Sequence, residues 1–159
     1  MPQHDKSILI LGVGNVLMGD EGVGVHAIKE LERSNLPQDV TLLDGGTGGF
    51  HLLSLFSEHD PIILIDATMD EKPAGSVTIT RPRFASEFPR TLSAHDIGLR
   101  DLLESAQLLG ALPKLYLITI SIDTIQSMSM ELSRPVQESF TDVLTSVRTI
   151  LSEISMQTP

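Results

Sequence analysis

The sequence predicts an α/β fold: a single three-layer domain spanning residues 1–159, with a twisted, mostly parallel five-stranded sheet and helices on both faces. Three observations predict it. Short, nearly continuous apolar runs such as "ILIL" and "PIILI" recur along the chain, as expected of strands covered on both sides. Stretches with apolar residues at helical spacing stand between most of them. Glycines close the first two runs, where the chain must turn from strand to helix.

The elements follow in order. "SILILGVG" (7–14) reads as a buried strand, and a helix from about Gly22 to Arg33 sets Val23, Ala27, Ile28 and Leu31 on one face. "DVTLLDGG" (39–46) is a second strand ending in a glycine turn. A short helix over roughly 47–57 carries Leu52, Leu53 and Phe56, and "PIILIDAT" (61–68) is a centre strand. "GSVTIT" (75–80) alternates after a turn and is expected to return antiparallel at an edge. "RPRFASEFPR", with two prolines, reads as loop. A helix over about 93–109 aligns Leu99, Leu102, Leu103, Ala106 and Leu109, and Gly110 is placed to end it. "KLYLITISI" (114–122) is the last strand. A final helix over 133–154 has the cleanest stripe in the chain, with Ser133 expected as N-cap and Pro135 in its first turn.

Composition narrows the function. A net charge of −10 argues against nucleic acid, whose phosphates would be repelled. The apolar runs are too short to span a bilayer, and no secretory signal is visible in "MPQHDKS", so a cytoplasmic protein without membrane partners is expected. The chain has no cysteine, which removes disulfides, thiolate metal sites and a Cys nucleophile together. Any metal site must come from histidines and carboxylates.

Parallel sheets gather ligands beyond the carboxyl ends of their strands. The glycine loop "LGVGNVLMGDEGVG" (11–24) follows the first strand, Asp44 ends the second and Asp66 ends the third. A dinucleotide site fits poorly, because Gly19 falls two positions late for G-x-G-x-x-G and Asp20 and Glu21 would face the pyrophosphate. A cation suits the acids better. Glu21 and Asp66 are expected beyond one sheet edge, and His95 in the first turn of its helix, where the helix dipole disfavours imidazolium and preserves a lone pair. Two carboxylates and an imidazole suit Zn, Ni or Mn, with positions left for water or substrate. The plainer readings stand beside this one: an N-cap for Asp20 or Glu21, a loop cap for Asp66, a structural role for His95. His26, His51 and His59 read as surface or packing residues, and Met128 and Met130 as loop packing. No G-x-S-x-G is present.

"ILILGVGNVLMGDEGVGV", "LLDGGTGG", "IILIDAT" and "LSAHDIGL", in this order and spacing, resemble the hydrogenase maturation endopeptidases, with the match carried by residues 7–103. Its first motif, G-x-G-N-x-L-x-G-D-D/E-G-x-G, is far more specific than a bare glycine loop. The resemblance implies an endopeptidase that removes a C-terminal extension from the large-subunit precursor of a nickel–iron hydrogenase after nickel insertion. It also implies metal ligands at Glu21, Asp66 and His95, with Asp66 and Glu21 as candidate catalytic carboxylates. The nickel is expected to arrive with the substrate, held there by thiolates, and Zn or Cd to be accommodated as well. Asp44, Gly45, Gly46 and Thr47 are expected to meet the extended tail, Asp44 orienting its loop, and Asp20 to orient or cap. Two mechanisms stay open: metal-activated water, or nickel for recognition only, with a carboxylate such as Asp66 as general base. So do other readings, namely a non-cleaving nickel-dependent recognition factor, a nucleotide-binding domain, or a metal-dependent peptidase with other substrates. A monomer is favoured. The sequence departs from relatives in the 121–134 loop, which lacks a proline until Pro135, and in the basic 81–90 insert, read as either a precursor grip or a solvated loop.

Overall fold

The structure, a computed structural model, describes residues 6–47, 49–89, 99–126 and 128–157. Five strands form one sheet in the order β2-β1-β3-β5-β4: β1 (Ile8–Gly12), β2 (Val40–Asp44), β3 (Ile62–Thr68), β4 (Val77–Thr80) and β5 (Leu115–Ser121). The first three and β5 run parallel, and β4 returns antiparallel along β5 at the edge, as its alternation predicts. β3 and β5 are buried at every position, the pattern of central strands covered on both faces.

Residue alternation along the strands divides the core in two. On one face Ile10, Ile63, Ile65, Tyr116 and Ile118 pack under α1 (Val23–Glu32), α4 (Arg134–Glu138) and α5 (Phe140–Gln157). On the other, Leu9, Leu11, Leu64 and Leu117 pack under α2 (Leu53–Glu58) and α3 (Leu99–Leu108). Each such Leu or Ile contributes about 1.5–3 kcal/mol relative to leaving it exposed. No helix among the described residues is long and apolar enough to cross a membrane.

Four expectations need correction. The final helix is two, broken at Ser139, whose hydroxyl donates to the Val136 carbonyl. Ser133 does stand at the N-cap, but its hydroxyl makes no capping bond and is buried without a partner among the described residues. Leu109, expected on the α3 stripe, lies past the helix end and is exposed; Gly110, at φ +68°, reverses the chain there. The 81–90 insert is not plain loop, since Ala85–Glu87 makes a 3-10 turn that packs against α3.

Candidate active site

The sheet register fixes which residues meet at its carboxyl edge. Gly12 lies opposite Asp44 on one side and Ile65 on the other, and Asp66 lies opposite Thr119. Asp66 and Thr68 continue the alternation of Ile62 and Leu64; Thr119 and Ser121 continue that of Leu115 and Leu117. The α2–α3 face of the sheet therefore turns from apolar to polar as it reaches this edge, and all four polar residues are buried.

Between β1 and α1 the chain makes a 3-10 turn, Gly19–Gly22, carrying Asp20 and Glu21 and packed against β3. Gly14 allows it: its φ is +147°, and a Cβ there would sit 2.3 Å from the Glu21 carbonyl oxygen. Glu21 is 3 % exposed and Asp66 fully buried, so two carboxylates come into the sheet edge out of water. Burial pushes the Glu21 carboxyl above its ordinary value of 4.5. One oxygen of Asp66 accepts the Ala67 N–H at 2.8 Å, which orients the group. Neither acid before α1 is its N-cap; that position is Gly22, with no side-chain capping bond.

Asp20 does something else. Its Oδ1 accepts the N–H of Ser133 at 2.7 Å, and its own N–H donates to Gln126 Oε1 at 2.9 Å. Beside it Gly19 N–H donates to the Ser129 carbonyl and Ser129 N–H to the Leu17 carbonyl, at 2.7 and 3.0 Å. The glycine loop is thus zipped to the 126–133 segment, and Asp20 orients that segment as expected. Sequence reasoning missed the zipper. Met128 and Met130, expected to pack, instead stand exposed, because the segment is held by its main chain.

The loop after β2 is tied in as well. Gly45 N–H donates to the Gly12 carbonyl and Gly14 N–H to the Gly46 carbonyl, both at 2.8 Å, while Asp44 Oδ1 accepts Gly46 N–H at 2.8 Å. Asp44 therefore orients its loop. The amides of Gly45 and Gly46 bind within the protein, and Thr47 is exposed beside them. With the Gly14 and Gly19 amides also engaged, the loop has little left for a phosphate, which removes the main support for a nucleotide site.

His95 lies outside the described residues. Among those described, no three His, Asp or Glu side chains are placed to hold one metal. The chemistry present is two buried carboxylates at a polar sheet edge, with burial biasing Glu21 towards holding a proton. Such a donor set fits a hard-to-borderline divalent metal completed by further ligands. Arg81, in the basic insert, is ion-paired to Glu153 of α5 rather than presented to a partner.

The chain shares its sequence pattern and fold with known proteins. The family described as hydrogenase maturation protease matches residues 25–151. The chain is 41% identical over 110 residues to the Hydrogenase 2 maturation protease of Escherichia coli, covering 67% of each. It is 36% identical over 141 residues to the hydrogenase expression/formation protein HupD of Bradyrhizobium diazoefficiens, covering 85% of this chain and 72% of that one. Among solved structures it is similar to the hydrogenase maturating endopeptidase HybD from E. coli, with a TM-score of 0.81 at 33% identity over 92% of this chain and 93% of the other.

Proposed function

The chain belongs to the hydrogenase maturation protease family, and on that premise we propose that it removes the C-terminal extension of a nickel–iron hydrogenase large-subunit precursor after nickel insertion, as a cytoplasmic monomer. It is a hydrolase of endopeptidase type. The observation that carries the finer reading is the burial of Glu21 and Asp66 together at the carboxyl edge of the parallel sheet.

On this reading the nickel is part of the substrate. Glu21, Asp66 and His95 lend oxygen and nitrogen ligands to it, which suits a chain without cysteine. Nickel, once seated, would polarise groups at the scissile peptide. The chain's own residues do the rest. Asp66 takes a proton from the attacking water, a role supported by the Ala67 amide that fixes one of its oxygens. Glu21, with its raised proton affinity, completes the cation-binding edge. The zipper through Asp20 keeps the turn that carries Glu21 in place.

Intact mass of the nickel-loaded precursor, before and after incubation, tests this. The wild type is expected to release one discrete C-terminal peptide. Glu21→Gln, Asp66→Asn and His95→Ala are each expected to slow release by at least a hundredfold. A verified nickel-loaded precursor that binds yet keeps its full mass would make the chain a recognition factor, and cleavage surviving all three substitutions would move the site elsewhere.

A further inference from the structure

Large apolar side chains that soluble proteins usually hide stand open around the candidate site. Leu17 is exposed on the glycine loop, Met69 directly after β3, and Ile125 and Met128 on the segment after β5, Met128 at 89 %. Backbone bonds tie these loops in pairs. Ser129 N–H reaches the Leu17 carbonyl at 3.0 Å, and Ile122 N–H reaches the Thr68 carbonyl at 2.9 Å, next to Met69. All four lie on the loops that leave the carboxyl ends of β1, β3 and β5, a collar of loops at the edge where Glu21 and Asp66 are buried.

Two further observations fall on the same loops. Among the described residues, the only non-glycine positions with positive φ are Glu71 (67°) and Met128 (60°). A methionine gains nothing locally from a left-handed backbone, and here that backbone presents the side chain to solvent. The same loops are also acidic: they carry Asp70, Glu71, Asp123 and Glu131, and Lys72 lies 3.8 Å from Asp70. Exposed apolar surface rimmed by charge marks an interaction site.

We propose that this collar docks a basic, apolar segment of the precursor polypeptide, holding it outside the buried carboxylates while the tail is cut. The proposal rests on the function put forward above and adds what the substrate must carry besides its scissile bond. Charge selects the occupant. A second copy of this chain brings another −10 and the same acids, and an anionic membrane or nucleic acid is repelled likewise. A cationic segment with large apolar side chains is attracted by the rim and buries the collar.

The test is the equilibrium affinity of the full chain for the full-length precursor, measured beside cleavage and across salt concentration. Ile125→Ser with Met128→Ser is expected to weaken binding at least tenfold. Asp123→Asn with Glu71→Gln is expected to weaken it several-fold and flatten its salt dependence. Met128→Gly should lose affinity without losing thermal stability, since glycine accepts the left-handed backbone; a structural role would move both together. Leu108→Ser with Leu109→Ser, exposed ahead of β5 at the opposite sheet edge, is the control and should change nothing. Affinities within twofold of wild type across the collar variants overturn the proposal, even if the tail is still removed. Failure of the wild type to bind overturns it too. Binding that depends on the collar without any loss of precursor mass upholds it and sinks the protease reading instead. Should the serine variants only disperse a dimer of the free chain, the collar is a self-association surface and the proposal falls.

Discussion

Glu21 sits where its charge is costly. Burial raises its proton affinity above the ordinary carboxyl value of 4.5. Below that pH the carboxyl is protonated whether the chain is folded or not, and the fold pays nothing for it. As pH rises through the folded value, the buried group must ionise, and stability is lost relative to a neutral residue. Glu21→Gln is therefore expected to match the wild type near pH 4 and to gain on it towards neutrality, measured by denaturant unfolding in chelator. A gain of equal size at every pH would mean that packing, not charge, is responsible. That Glu21 and Asp66 come to the carboxyl edge was legible from the glycine loop after β1 and the apolar run of β3, although β3 continues past Asp66 to Thr68 rather than ending at it. The partner of Asp20 was not. It is a backbone N–H 113 residues away, and an amide of Ser133 carries no mark in the sequence.

At the scale of elements, β1 and α1 approach through glycine. A Cβ on Gly24 would lie 2.3 Å from the Val13 carbonyl oxygen and 2.4 Å from that of Ile65. Both are main-chain atoms, Ile65 in β3 and Val13 directly after β1, and cannot swing aside. Alanine normally gains a helix about 1 kcal/mol over glycine. Here Gly24→Ala is expected to destabilise by about 1–3 kcal/mol, because overpacking outweighs propensity. The denaturation midpoint decides, and an unchanged or raised value would refute the close-approach argument. Strands and most helices were readable for the same reason that they are stable: each writes its buried face as a periodic apolar pattern. The break at Ser139 was not, since Val136, Phe140 and Val143 keep helical spacing across it. The zipper between residues 17–20 and 126–133 was also silent, because main-chain groups make most of it and leave side chains such as Met128 free to face outward.

For the molecule as a whole the governing quantity is its charge of −10. Self-repulsion of that size means that any salt stabilises the fold by screening, so stabilisation by a cation is not in itself a sign of a site. Matched ionic strength separates the two effects. A divalent ion held only by the folded chain adds RT ln(1 + [L]/Kd), about 2.7 kcal/mol at a hundred times Kd. In a chain of this length each kcal/mol moves the midpoint by roughly 2–4 °C. Zn²⁺ or Ni²⁺ is therefore expected to raise the wild-type Tm several degrees beyond NaCl of equal ionic strength. Asp66→Asn should remove that excess and keep the response to NaCl. An excess that survives the substitution would place the bound ion among the surface acids. With no excess at all, the chain's own carboxylates and imidazole would not hold a metal by themselves, and the ion would have to come with the remaining ligands of its substrate.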